Sequence, residues 1–531
     1  MRNLLFVLFI GLCVSLTSCR NDFAFEPSTG GLEFSKDTVY LDTVFTNIAS
    51  STYRLKVYNR TNKDISIPKI QLGKGLNSKY RIMVDGMTGD AGAQGKIFSN
   101  VELLAKDSLF IFIEVTSDVA SANPTDFLYT DQIQFSNVSG GPQTVELVTL
   151  IQDAYFIRPN RTETAPNTYS YEQINLGLDD TNQQVISVGH TLQHSHPNNG
   201  DEYHWKNDKP YVVYGYAFVP DNETLNVDAG ARIHFHDNSG LIIAKNGTLK
   251  VNGLAPTDHN PENLTNEVIF EGDRLEPNFS DVPGQWGAIL SYSIKSDNLI
   301  NHLTIKNATV GILIQNLALF SDMNKPNLSI TNSQIYNCSY AGILARKSTL
   351  SGTNLVINYC GQADLACTFG GTYNFTHCTF NNNWNNAKQV AVLLNNYIDT
   401  DTTRYVSNLD GANFNNCIIY GSNQNELYLD KKTDQGVTFN YNFNHCLIKF
   451  NNTTNNSLYL PNNTTDFPGS TAATSLNPYN PKFKNVASNK LWLSEAWNST
   501  LTNDANFSNF NDILGNPRTG TIALGAYQFV P

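Results

Sequence analysis

Three stretches of this chain can be laid over one another: YNFTHCTFNNN at 373–383, ANFNNCIIYGS at 412–422 and YNFNHCLIKFN at 441–451. Each is a short apolar strand closed by asparagine or glycine, and each carries a cysteine at the same place. One such unit cannot bury its own apolar face, whereas a stack of them can. The repeat is irregular, at roughly 20–40 residues, and it is small and β-rich. That combination predicts a parallel β-helix rather than a helical solenoid. Stacking puts Cys378, Cys417 and Cys446 at one level of successive coils, and IYNC and INYC align Cys338 with Cys360. A free cysteine packs as a small apolar side chain, so these ladders read as core rather than as metal or redox sites. Asn337, Asn358, Asn381 and Asn416 fit turn positions, where asparagine tolerates left-handed backbone.

The same texture extends upstream through PYVVYGYAFV, GLIIAKNGTLKVNG and HLTIKNATVGILI, so the coil is expected over 210–531. Residues 32–155 differ. LEFSKDTVYLDTVF, STYRLKVYNRT, DSLFIFIEVTS and QTVELVTLIQ alternate apolar and polar with turn residues between them, the pattern of a β-sandwich. Residues 156–209 are polar and less regular and read as a connector. They contain Asp179-Asp180 and the histidine-rich GHTLQHSHPNNGDEYHW. Helical periodicity is nearly absent, so the chain is expected to be all-β.

Thr43-Val44-Phe45, the YNRTNK turn at 58–63 and the FIFIEV strand at 110–115 resemble Ig-like modules of the ASPM/SPD-2/Hydin type. The entry coil LNVDAGARIHF (225–235), Gln285-Trp286-Gly287-Ala288-Ile289, GGTYNFTHCTF (370–380) and the closing GNPRTGTIALGAYQF (515–529) resemble the right-handed parallel β-helix of the pectate-lyase-like superfamily. Together they look like β-helix lipoproteins of the Bacteroidota. That fold hosts lyases, hydrolases, adhesins and inert scaffolds, so it leaves the function open.

The first residues point to a compartment. Met1-Arg2-Asn3 precedes the apolar run LLFVLFIGLCVSL (4–16), too short to span a bilayer as a mature helix. Leu16-Thr17-Ser18-Cys19 resembles the bacterial lipobox, which implies a signal peptide over 1–18, acylation of Cys19 and a tether over 19–31. Several acyl chains anchor stably where one does not. Asp22 and Glu26 resemble a weak acidic export tag, and the expected place is the outer membrane, facing the exterior.

A length of 531 residues allows two domains. The net charge of −12 argues against nucleic acid or anionic lipid headgroups as partners. None of the cysteines shows CxxC spacing, which argues against a zinc knuckle.

Candidate chemistry is sparse. The Gly-His-Gly of polygalacturonase-like hydrolases is missing, and Asp179-Asp180 precedes the predicted coil. Asp399, Asp401 and Arg404 share a loop that suits a hard cation or, more simply, a solvated surface. Glu426 and Asp430 fit a strand end facing water. His190, His194, His196 and His204 lie before the coil; His234 and His236 are expected to point outward, opposite Ile233 and Phe235. None of these histidines has a carboxylate or cysteine at ligand spacing in the sequence. Tyr292, Trp384, Tyr397, Tyr405, Tyr428 and Trp492 lie near turns and suit either sugar stacking or ordinary packing. No catalytic, cofactor or metal residue is therefore assigned; Cys19 is the one site residue, as the lipid attachment. The expectation is a membrane-anchored, non-catalytic binding or scaffold protein that docks on an outer-membrane protein or an extracellular polymer. A polysaccharide lyase or hydrolase, or a dedicated glycan binder, is the alternative.

Overall fold

The computed structural model describes residues 24–116, 126–433, 436–474 and 476–530. Cys19 and the leader lie outside the described residues. Two compact units divide the chain, Met1–Asp153 and Ala154–Pro531, and both are built from strands.

The first unit is an Ig-like β-sandwich. One sheet sets Glu26–Pro27, Ile65–Leu72, Asp126–Phe135, Gln143–Gln152 and Thr38–Tyr40 side by side; the other orders Glu33–Phe34, Tyr53–Tyr58, Ser108–Val115 and Tyr80–Val84. Alternation decides which side chains are buried. Leu55, Val57, Ile111 and Ile113 from one sheet meet Ile67, Ile70, Ile133 and Val145 from the other in a single core.

The second unit is a parallel β-helix with three faces. Among the described residues the first face has eleven strands, from Tyr155–Ile157 to Thr471–Ala473, each parallel to the next. The second face runs from residues 189–191 through Tyr216–Val219, Gly240–Ile243, Trp286–Ser291 and Ala308–Ile314 to Val390–Asn395 and Leu427–Asp430. The third runs from His204–Trp205 through Thr224–Asp228 to Leu409–Asn415 and Phe439–Asn444. Two long strands, Ala341–Thr353 and Ala363–Thr376, serve the second and third faces in turn.

The quoted repeats are the third-to-first-face corner. The residue before each cysteine turns the chain in the left-handed region: His377, Asn416 and His445, with φ of 50°, 53° and 50°. Asn354, Asn332 and His302 turn the preceding coils in the same way. After the corner the cysteines point inward; Cys378, Cys417 and Cys446 are buried, and the Cys378 amide donates to Cys417 Sγ at 3.4 Å. Cys338 pairs with Cys360 on the first face. Burial pushes the thiols of Cys360, Cys367, Cys378 and Cys417 up. One position along each repeat also stacks aromatics: Phe375, Phe414, Phe443 and Phe467 lie at centroid spacings of 5.0, 4.7 and 5.0 Å.

Three expectations change. The stretch 156–209 is no connector, since Tyr155–Ile157, residues 189–191 and His204–Trp205 each pair in parallel with the next coil. Its polar surface hid this, because few of its side chains, Ile157, Leu192, Tyr203 and Trp205, join the common core. Asn358 and Asn381 are not turn residues but sit within first-face strands. Asn358 Nδ2 donates to Val486 O and Asn489 Oδ1 of the C-terminal segment, at 3.2 and 3.1 Å.

That C-terminal segment runs back along the left-handed corner and satisfies it. Asn416 bonds Asp504, His377 lies 3.2 Å from both Ser508 Oγ and Gly525 O, Asn354 Nδ2 donates to Asn511 O, and His302 Nε2 approaches Ile513 O. Arg518, from the closing motif, is buried and donates to Asn354 Oδ1 and to the carbonyls of Gly525 and Ala526. Burial lowers its guanidinium to a pKa of about 10.

Candidate functional site

Outward side chains of the second face form a continuous apolar ladder. Leu313, Leu344, Ala366, Leu393 and Tyr428 follow one another in register. Ala341, Ala363 and Val390 form a parallel row beside them. The alanines keep the centre of this face low, and two projections wall it. One is the loop carrying Leu319 and Phe320; the other is the hairpin of Tyr397–Asp399 and Arg404–Val406. The result is a groove of about 620 Å³.

Its walls are pinned from outside. Asp180 accepts from the amides of Phe320 and Ser321 at 2.9 and 2.8 Å, which fixes the loop. These amides hold the Asp180 carboxyl below its usual range even though burial opposes them. Phe320 stacks on Tyr405 with centroids 3.9 Å apart. The Tyr397 hydroxyl donates to Asp430, and its ring lies under Lys432 Nζ at 4.6 Å. Tyr340 and Tyr428 complete the rim, each about half exposed.

Beside the tyrosines, the polar side chains that line the groove are Arg346, Gln362, Thr368, Lys388, Asn395 and Asp399. Arg346 donates to Gln315 at 3.0 Å, and burial lowers its guanidinium pKa. Thr368 is 8% exposed, and its hydroxyl has no hydrogen-bond partner. Among the described residues Asp399 is the one carboxylate in the lining, and Arg404 clamps it with contacts of 2.6 and 3.1 Å. That clamp holds the Asp399 carboxyl below the usual range. Asp401 stands at the exposed hairpin tip, so Asp399, Asp401 and Arg404 do not converge on a cation site.

The remaining sequence candidates scatter. Tyr292 lines a separate cavity of about 430 Å³ beside the Lys245–Asp322 ion pair. Trp384 packs on Tyr359 and Trp492 on Tyr527. His236 is partly exposed and bonds Asp273 at 2.7 Å, but His234 is buried beside Glu271. Its side chain stands opposite the core residues Ile233 and Phe235, but the covering Glu271 comes from the next coil and leaves no local signal. Glu426 faces the interior, fully buried, not water. Gly421 beside it leaves room for the carboxyl, which a Cβ at that position would strike.

A histidine–carboxylate cluster closes the first coil. His190 is 2% exposed; its Nδ1 lies 3.0 Å from Glu172 Oε2 and its Nε2 2.9 Å from Glu202 Oε2. Burial alone would lower the imidazole, but the hydrogen bonds to Glu202 and Glu172 outweigh it and raise the pKa. His196 Nδ1 lies 3.5 Å from Glu202 Oε1. His194 stays exposed and pairs with Glu223, and His204 bonds Asp228 at 2.9 Å. Glu172 and Glu202 were invisible as partners in the sequence because no regular spacing links them to His190.

No family model matches the chain, and no curated protein matches it. Among solved structures, it is similar to a family 123 glycoside hydrolase from Clostridium perfringens, at 8% identity over 23% of this chain and 27% of that one, with a TM-score of 0.17. The chain thus spans about a quarter of that enzyme's length. It is also similar to PapD-like domain 7 of human CEP192, at 13% identity over 26% of this chain and 94% of that one, TM-score 0.15. The catalytic unit of a GH87 α-1,3-glucanase from Streptomyces thermodiastaticus strain HF3-3 aligns over 74% of this chain and 72% of its own, at 9% identity and a TM-score of 0.23. Likeness this weak carries no inference about activity.

Proposed function

We propose that this chain is a lipid-anchored, extracytoplasmic binding protein that holds a segment of polysaccharide along the groove of its second face without cleaving it. The observation that carries the reading is the make-up of the groove: an apolar floor, tyrosines along the rim and, among the described residues, a single lining carboxylate already paired with Arg404. Glycoside hydrolysis takes a pair of carboxyl groups flanking the bond, one of them free to donate a proton. Aromatic faces over an apolar floor suit contact instead. The lipobox at Leu16–Cys19 supports anchoring at the outer membrane, and the coil motifs support a pectate-lyase-like β-helix of the Bacteroidota type.

The test is calorimetry of the full chain against a panel of soluble polysaccharides, with reducing ends assayed in parallel. Binding without new reducing ends is expected, and the Tyr340→Ala, Tyr428→Ala double variant should lose it. Release of oligosaccharides would return the chain to the lyases and hydrolases. Binding unchanged in the double variant would move the site elsewhere. For the anchor, Cys19→Ser should shift the protein from the membrane to the soluble fraction.

A further inference from the structure

We propose that His190, His196 and Glu202 bind a divalent transition metal of the zinc class at the first coil of the β-helix. The three side chains offer two imidazole nitrogens and a carboxylate oxygen, all within 4.8 Å of one another. His190 Nε2 and His196 Nδ1 approach the two oxygens of Glu202 at 2.9 and 3.5 Å. Ligand atoms around a tetrahedral zinc, each about 2.0–2.1 Å from the ion, stand roughly 3.3 Å apart. The Asn199 amide also lies 3.3 Å from His196 Nδ1, a long contact that the metal would displace.

The second layer is also in place. Metal-bound histidines nearly always donate their other ring N–H to a carboxylate or carbonyl, which fixes the tautomer. Glu172 stands 3.0 Å from His190 Nδ1 and is itself held by the Thr191 amide at 3.0 Å, so it leaves Nε2 facing the metal position. Glu202 is oriented by the Gln193 amide and by Asn199 Nδ2.

Charge argues the same way. Glu172 and Glu202 bring two negative charges beside a buried ring, and the ion pairs they form are with histidine. A divalent ion held at this position would balance both carboxylates. His196, at 19% exposure, gives the ion a way in, and three protein ligands leave a fourth position for water. Fixed there, the metal would tie residues 189–191 to the loop that leads into His204–Trp205 and close the end of the core.

The full chain, stripped with chelator and titrated with zinc, should take up one equivalent per chain. His196→Ala removes the most exposed ligand and should abolish that equivalent while leaving the metal-free melting profile unchanged. Glu172→Gln keeps all three ligands and should weaken binding by about 10–100-fold. Cobalt substituted at the site should show visible absorption that disappears in His196→Ala, a readout independent of stability. No zinc uptake by the unsubstituted chain would overturn the proposal. So would uptake of equal affinity in His196→Ala, which would assign the metal to surface histidines such as His194 or His236.

Discussion

The Asn416 side chain and the Asp504 main chain, 88 residues apart, hold each other by two bonds: Asn416 Nδ2 donates to Asp504 O at 2.9 Å, and the Asp504 amide donates to Asn416 Oδ1 at 2.8 Å. The same asparagine turns the coil at φ 53°. One side chain therefore serves both the backbone turn and the docking of the C-terminal segment.

These two roles separate by substitution. Asn416→Gly keeps the left-handed turn and loses both bonds at this partly buried site, which should cost on the order of 1–3 kcal/mol at about 0.5–1.5 kcal/mol per bond. Asn416→Ala loses the bonds and strains the turn, adding roughly 1 kcal/mol. Urea denaturation should rank the two variants in that order. Equal midpoints for Asn416→Gly and the unsubstituted chain would show that the segment docks without this residue.

The thiols of Cys378, Cys417 and Cys446 should be silent in the folded protein. All three are buried at one level of successive coils, out of reach of a polar reagent, and burial disfavours the reactive thiolates of Cys378 and Cys417. A polar thiol reagent should label them only in denaturant. Rapid native labelling of all three would contradict the inward ladder.

Much of this was legible because a repeat reports itself. The alignment of YNFTHC with ANFNNC and YNFNHC located the corner and the inward cysteines from spacing alone. What the repeat could not show was contact made out of register. His377 and His445 align with Asn416 at the corner, and histidine shares asparagine's tolerance of left-handed backbone, but the bond of His377 to the C-terminal segment has no trace in the repeat. Glu202 reaches His190 across a loop, and Glu426 turns inward because Gly421 and Ala391 leave space for it. The groove was half visible: Tyr397, Tyr405 and Tyr428 were noted as surface aromatics. Their convergence depends on the alanines at 341, 363 and 366, which look like ordinary core residues in the sequence.

The phenylalanine stack makes a sharper stability prediction. Phe414 lies between Phe375 and Phe443 and is fully buried. Phe414→Ala should destabilise the second unit by about 3–5 kcal/mol, because neighbouring coils cannot close around the void without breaking their own ladder bonds. Phe414→Leu should retain most of the burial and cost far less. A loss below 1 kcal/mol for the alanine variant, measured by urea denaturation, would show that the coils collapse freely.

Glu426 should make the protein less stable as pH rises toward 8. Strand register places Asp364, Ala391 and Glu426 at one level of three successive coils, each one residue before a paired position. Both carboxyls are fully buried with few donors in reach, and Glu426 accepts at Oε1 from the Asn423 amide at 2.7 Å. Burial pushes the Glu426 pKa up to about 8, and burial with the nearby Glu426 pushes Asp364 well above its ordinary range. In the unfolded chain a glutamate ionises near 4.3. Between that value and 8 the folded state binds the extra proton, so folding stability falls as pH rises across the window and levels off above it. The loss at pH 8.5 relative to pH 4 is on the order of a few kcal/mol. Glu426→Gln removes the titration, so its stability relative to the unsubstituted chain should climb steadily from pH 4.5 to 8.5. Urea midpoints of the two proteins that run parallel across that range would show that the carboxyl is solvated or paired, and that the inward register is wrong.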